Sequence, residues 1–334
     1  MRQRKLLQAR ITAGRFTLPV VIFICILCWM GTSFLLPELK AGEADYSLWN
    51  RLMSFGLPGW SNRLAGFVLY ALIGYFLIEL NNTFAIIRMR ASVQTSLYFL
   101  LITACPAMHP LYAGQVAAVA FLLSLYFLFK SYQQAHPSGN VFHSFVFIGA
   151  GSLLFPQLLY FIPIWLIGAY NFKSLTPRSF CAALLGLSVP YWFLLGHAIF
   201  HKEIDLFYVP FSELARFQPV DLLNGFAQWE LVTLAYLFVL FIISTIHCIV
   251  AGYEDKIQTR GYLHFLIFLN FCIFFFILLQ PAYSMNLMSL LFITASILIA
   301  HLFVLTNNKL SNWFFICSMI ALLFLFAFNT WSLL

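Results

Sequence analysis

The sequence predicts an all-α protein, a polytopic transmembrane helical bundle of about 11 spans, with its N-terminus cytoplasmic and its C-terminus periplasmic. Three observations predict it. Apolar residues make up 62% of the 334 residues and charged residues 9%, with a mean hydropathy of +0.90. A soluble domain carries roughly 25% charged residues, so this chain lacks the surface to face water. The apolar residues gather into runs of about the length that crosses a ~30 Å hydrocarbon core as a helix. The basic residues fall mainly on alternate connections between those runs, as membrane orientation requires.

Taken in order, the runs are 18–36, 64–80, 93–109, 114–129, 142–156, 157–172, 179–200, 230–251, 262–280, 285–305 and 313–333. Residues 1–17 form a basic cytoplasmic segment. The run 18–36 exceeds a signal-peptide core, and no small-residue cleavage site follows it, so it reads as a retained span. Pro156 divides the fifth and sixth runs, which are short. They read as two thin spans, with a re-entrant pair or one kinked span as alternatives. The rest of the chain, 18–334, reads as one integral membrane domain with outer loops 37–63 and 201–229.

Loop charge checks this count. With the N-terminus inside, thirteen basic residues face the cytoplasm, among them Arg15, Arg88, Arg90, Lys130, Lys173, Arg178, Lys256 and Arg260. Only Lys40, Arg51, Arg63, Lys202 and Arg216 lie outside. Merging the fifth and sixth runs reverses every later loop and puts the basic residues after position 200 on the wrong side. The two outer loops mix acids with aromatics and leucines, as in Tyr46-Ser47-Leu48-Trp49-Asn50-Arg51-Leu52-Met53. That pattern suits a helix lying flat in the interface; a tether of the length that packing dictates has the same look.

Several function classes drop out. The net charge of +7 is scattered over short loops with no basic stripe, so nucleic acid is not a partner. All seven cysteines lie in or beside apolar runs, where they act as small apolar residues, and no disulfide or zinc spacing exists. No Asp, Glu, Lys or Arg sits near the middle of a run, which disfavours ion-coupled transport. His247 and His301 lie within spans and read as packing residues. The sequence leaves the cofactor unknown, and no internal repeat is visible.

Three constellations remain. Gly149, Gly151, Pro156, Pro163 and Pro190 interrupt the fifth to seventh runs. They read as a groove for a lipid or sugar-lipid substrate or, on the plainer view, as kinks in a tightly packed bundle. His197 and His201, four apart at the outer end of the seventh run, would face one side and could ligate a transition metal beside Glu203 and Asp205. Glu43 and Asp45, just after the first span, form an outer acidic pair able to act as general base or to hold a metal near a lipid phosphate.

That acidic E-x-D pair in the first outer loop, on a many-span chain, resembles the layout of membrane glycosyltransferases that use polyprenyl-phosphate sugars. The resemblance implies Asp45 as general base or metal ligand, with Glu43 as its helper. Two longer stretches resemble an uncharacterised family of multi-pass inner-membrane proteins from Bacteroides-like bacteria. One is Glu79-Leu-Asn81-Asn82-Thr-Phe84 through Arg88-Met-Arg90. The other runs from Gly149-Ala-Gly-Ser through Pro156 and Asn171-Phe-Lys173 to Pro190-Tyr. This second resemblance covers about residues 64–200 and implies a bacterial inner membrane and an intact bundle, with no activity to carry over. The expectation is a protein of cell-envelope metabolism whose partners are membrane lipids and a polyprenyl-phosphate-linked substrate. A flippase or carrier for such an amphiphile and a structural subunit of a membrane assembly complex are the other two readings.

Overall fold

The computed structural model describes residues 6–36, 47–54, 58–87, 92–217 and 225–334. They form an all-α, multi-span helical bundle. Helix α1 covers Leu7–Thr12, α2 Thr17–Leu35, α3 Ser47–Met53, α4 Gly59–Phe84, α5 Val93–Thr103, α6 Ala113–Lys130 and α7 Ser138–Leu154. Then come α8 Ile162–Asn171, α9 Pro177–Phe200, α10 Asp205–Leu214, α11 Gln228–Ala251, α12 Ile257–Leu279, α13 Ser284–Leu305 and α14 Lys309–Trp331. Among the described residues, eight helices are long and apolar enough to cross a membrane: α2, α4, α6, α9, α11, α12, α13 and α14. Helices α5, α7 and α8 are shorter; the eleven residues of α5 extend only ~16 Å at 1.5 Å per residue.

Each predicted run holds one helix, and the boundaries move for a stated reason. The run 93–109 yields a helix that stops at Thr103, because Pro106 excludes its predecessor from the helical region. Cys105 sits at φ −121°, ψ 80°, and a 3-10 turn follows at Pro106–Met108. The same construction recurs twice. Phe155 (φ −134°, ψ 84°) precedes the turn Pro156–Phe161, and Gln280 (φ −134°, ψ 74°) precedes Pro281–Tyr283. These turns reverse the chain between α5 and α6, α7 and α8, and α12 and α13, all at the end of the bundle that carries α3 and α10.

Other helix ends follow local chemistry. At α9, Thr176 caps the helix: its hydroxyl accepts from the Ser179 N–H at 3.1 Å, the Ser179 hydroxyl accepts from the Thr176 N–H at 2.6 Å, and Pro177 occupies the first turn. At α11, the Glu230 carboxylate accepts from the Ala227 N–H at 3.0 Å. Left-handed residues lie just past α4, α8 and α9: Ala85, Lys173 and Lys202, with φ between 47° and 58°. None is the glycine such positions favour, so no sequence signal marks them.

The core runs through the whole bundle and centres on α13, which is buried on all sides among α5, α6, α11 and α12. A helix buried all round must satisfy its polar side chains internally. Ser289 bonds Tyr112, Thr294 donates to the Asn270 carbonyl at 3.1 Å, and Ser284 donates to Glu230 at 2.6 Å. Helix α8 is pinned by Trp165, whose indole N–H donates to Ser124 at 2.7 Å and to Ser144 at 3.2 Å, joining α6 and α7 at one point.

At the α3/α10 end, Arg51 on α3 pairs with Glu203, just after α9. The guanidinium holds the Glu203 carboxyl below the ordinary carboxylate range, and His201 and His197 act in the same direction. A depressed folded pKa contributes docking strength that is fully present above the ordinary carboxylate range. That strength is lost as pH falls through the lowered value. Half-exposed ion pairs are also weakened by salt. Protection of the amides in residues 47–53, measured as exchange relative to the intrinsic rate at each pH, is therefore expected to fall in acid and in high salt, and Glu203→Gln is expected to remove the acid dependence. Equal protection factors above and below that pH window in the unaltered protein would refute the latch.

Candidate functional site

Two apolar cavities open on the sides of the bundle. The larger, about 660 Å³, lies between α11 and α14, with Ala235, Cys317, Ser318 and Ala321 in its lining, and no charged residue among the described residues lines it. The other, about 440 Å³, lies between α2 and α4 and does contain a charge. Ile26, Met30 and Phe34 supply its α2 wall; Leu64 and Phe67 supply its α4 wall, with Trp60 and Arg63 beside them.

The floor of the α2/α4 groove is an aromatic and polar stack. Trp29 lies flat on His109, with ring centroids 3.9 Å apart and planes at 14°, and meets Phe67 and Tyr70 edge-on. Its indole N–H reaches Thr103 at 3.3 Å, and Thr32 bonds His109 Nδ1 at 3.3 Å. The turn that carries His109 is fixed from α6 and α4. The Gln115 amide donates to the carbonyls of Met108 and Pro110, each at 2.9 Å. Gly66 lets the His109 carbonyl press against α4 where any side chain would collide with it. The groove is thus backed by a rigid wall.

Arg63 stands in the first turns of α4, and the residue is only 7% exposed. Its guanidinium donates to the Leu36 carbonyl at the end of α2. Among the described residues no carboxylate pairs with it; Glu203 is taken by Arg51. Charged groups held away from solvent concentrate at functional sites. In the sequence, Arg63 reads only as a loop charge. The signal that could have found it is that it opposes the charge bias from a position three residues after Trp60, at the start of an apolar helix.

The sequence-derived candidates fall elsewhere. Glu43 and Asp45 lie outside the described residues, in the connection that begins directly after Leu36. Gly149 and Gly186 bring α7 and α9 into backbone contact: an added Cβ at Gly149 would lie 2.8 Å from the Leu187 carbonyl oxygen. Gly151 faces Leu158 and Ala120 closely, Pro156 and Pro190 are buried, and Pro163 is exposed. These five residues line neither cavity. His197 and His201 are exposed with ring centroids 4.3 Å apart, and among the described residues no set of three His, Cys, Asp or Glu side chains could hold a metal.

At the opposite end of the bundle lies a feature that reads as mere packing in the sequence. Cys248 Sγ lies 3.5 Å from His301 Nδ1, and His301 Nε2 lies 3.3 Å from the Asp255 carboxylate, with the Asp255 and His301 side chains sealed from solvent. The order thiol, imidazole, carboxylate matches a nucleophilic array in outline. Neither cavity reaches it, so it ties α13 to α11 and to the connection after α11. Comparison with known protein families, curated proteins and solved structures finds no match to this chain, so its chemistry is read from its own residues.

Proposed function

We propose that the protein is a multi-pass component of a bacterial inner membrane, crossing it eleven times with its N-terminus cytoplasmic and its C-terminus periplasmic. In support, each of the eleven apolar runs holds a helix, and the proline turns complete the short ones at the α3/α10 end. The loop charges favour that end as the outer face. In a background free of other reactive cysteines, a single cysteine at position 173 or 260 is expected to react only after the membrane is opened. One at position 216 is expected to react in intact cells. Labelling of position 173 from outside would remove the eleven-span topology.

Its function, in this reading, is to act at the outer face on a polyprenyl-linked sugar, in the manner of a glycosyltransferase. The observation that carries this is the α2/α4 groove: one apolar slot open to lipid, closed at the end of α2 by a buried cation. From that same end of α2 the chain runs on to Glu43 and Asp45. The polyprenyl chain occupies the slot and its head group meets the cation; the acidic pair serves as general base or metal ligand. A polyprenyl phosphate bearing a photoreactive chain is expected to label Met30, Trp60 or Leu64. Labelling confined to the α11/α14 cavity would overturn the assignment of the groove. A carrier of the same amphiphile would share the groove and lack the chemistry; the acidic-pair variants discussed below separate the two.

A further inference from the structure

We infer that the ends of α6 and α8 and the start of α9 form a binding site for the phosphodiester head group of an anionic glycerophospholipid of the inner leaflet. The inference rests on the topology proposed above, which puts these helix ends on the cytoplasmic side, and is independent of the reading of the α2/α4 groove.

Three cations meet on backbone that is tied together. Lys130 is the last residue of α6, Lys173 lies just past α8, and Arg178 stands in the first turn of α9; all three are exposed. The Gln133 N–H donates to the Phe172 carbonyl at 3.0 Å. The Ser131 hydroxyl donates to the Ser174 hydroxyl at 3.0 Å, and the Ser179 hydroxyl donates to the Ser174 carbonyl at 2.7 Å. Each cation is the chain neighbour of a residue that makes one of these bonds. From the other side, Tyr132 packs on Phe172 and on Tyr262 of α12, with ring centroids 5.7 and 5.5 Å apart. The fold therefore gathers three like charges, which repel one another.

No carboxylate offsets them. From Leu80 to Lys202 the sequence contains neither Asp nor Glu. In the proposed topology the cytoplasmic carboxylates are Glu79, Glu254 and Asp255, and all belong to the described residues. Glu79 accepts from Thr83, Glu254 accepts from Tyr253, and Asp255 lies against His301. Among the described residues, no carboxylate pairs with Lys130, Lys173 or Arg178. The cytoplasmic segments outside the described residues, 1–5 and 88–91, contain no Asp or Glu. Positive-inside bias explains the sign of these charges but not the residue at position 173. Lys173 is left-handed, with φ 56°, a conformation that suits glycine better than lysine. The lysine supplies a charge where the backbone favours glycine.

The adjoining surface fits a lipid better than a free phosphate. Ile167 and Tyr170 on α8 and Phe180 and Leu184 on α9 are exposed, and they lead from the cations into the span. Acyl chains lie along these faces while the phosphodiester meets the basic cluster. A zwitterionic head group brings its own ammonium to that cluster and loses the advantage.

The test uses the full chain in phosphatidylcholine nanodiscs with a trace of photoreactive phosphatidylglycerol or, in parallel, photoreactive phosphatidylcholine. Phosphatidylglycerol is expected to label residues 167–184 roughly fivefold more than phosphatidylcholine, and added salt to shrink the difference. The triple variant Lys130→Gln, Lys173→Gly, Arg178→Gln is expected to abolish the preference. Lys173→Gly alone is expected to lower it while melting at or above the unaltered temperature, because glycine relieves the left-handed backbone. Equal labelling by the two lipids, or an unchanged preference in the triple variant, would overturn the site. Should the triple variant fail to fold, an unchanged preference in Lys173→Gly overturns it. Inorganic phosphate that erases the preference, when chloride at the same ionic strength does not, would assign the cluster to a free anion instead. Labelling of a cysteine at position 173 from outside would remove the topology beneath the inference. Equal lipid labelling with position 173 inside would remove the lipid site alone.

Discussion

Gly186→Val is expected to prevent stable assembly of the bundle. Helices α7 and α9 pack along most of their length, and Gly186 is where α9 touches the α7 backbone. An added Cβ there would lie 2.5 Å from the Phe142 carbonyl oxygen and 3.2 Å from its carbon. Neither atom can swing aside as a side chain would. The reciprocal contact at Gly149, against the Leu187 carbonyl, fixes the pair from the other side. Small residues of this kind let helices approach in the bilayer, where dispersion and hydrogen bonds drive association. Overpacking a filled core costs ~1–3 kcal/mol when side chains can adjust. Here the backbones themselves must separate, which also breaks the 2.8 Å bond between Ser152 and Tyr191, so the cost is expected at or above the top of that range. Against a total stability of ~5–15 kcal/mol, little monodisperse protein should survive extraction. Gly196, on the same helix, has nothing within 4 Å of an added Cβ. Gly196→Ala should therefore melt at or above the unaltered temperature, since alanine is the better helix former by ~1 kcal/mol. A Gly186→Val protein that melts normally would show that α7 and α9 are not so close.

Asp45→Asn is expected to cost a factor of ~10²–10⁴ in activity, the usual contribution of a general base, with no change in melting temperature. Asp45 lies in a polar connection, and surface substitutions typically shift stability within about ±0.5 kcal/mol. Stability and activity should therefore separate at this position. Glu43→Gln should be milder, and Glu38→Gln should have no effect. Complementation of a deletion strain measures the outcome through growth, whatever sugar the lipid carries. Full complementation by the Glu43→Gln, Asp45→Asn double variant would remove the glycosyltransferase-like chemistry. The groove would then serve a carrier, or the bundle a structural role.

Parts of the candidate site were legible in the sequence and parts were not, for physical reasons. Glu43 and Asp45 stand out in the sequence because carboxylates are rare on this chain, and they lie outside the described residues. Arg63 does not stand out, because its burial depends on where the end of α2 lies relative to the first turns of α4. Gly149, Gly151 and Pro190 were visible as interruptions, yet an interruption does not say whether the space it leaves is empty. In this bundle a neighbouring helix fills it at Gly149 and Gly186. His301 and Asp255, in different elements, meet only through folding.

The sequence by itself marked the apolar helical segments and their order; that the run 93–109 stops at Thr103 and that α1 forms at Leu7–Thr12 came from the structure. The reason is local: a backbone in hydrocarbon must satisfy its own N–H and C=O groups within one segment, and a proline forces the residue before it out of the helix. It could not determine which helix lies at the centre. Helix α13, buried on every side, and α14, mostly facing outward, have nearly the same hydropathy, 2.3 and 2.1. Lipid tails and protein neighbours are equally apolar, so hydropathy carries no information that separates them. Only packing does: the fit of Gly186 on α7, of Trp165 between Ser124 and Ser144, and of Arg63 beneath Leu36 is what the tertiary structure decided.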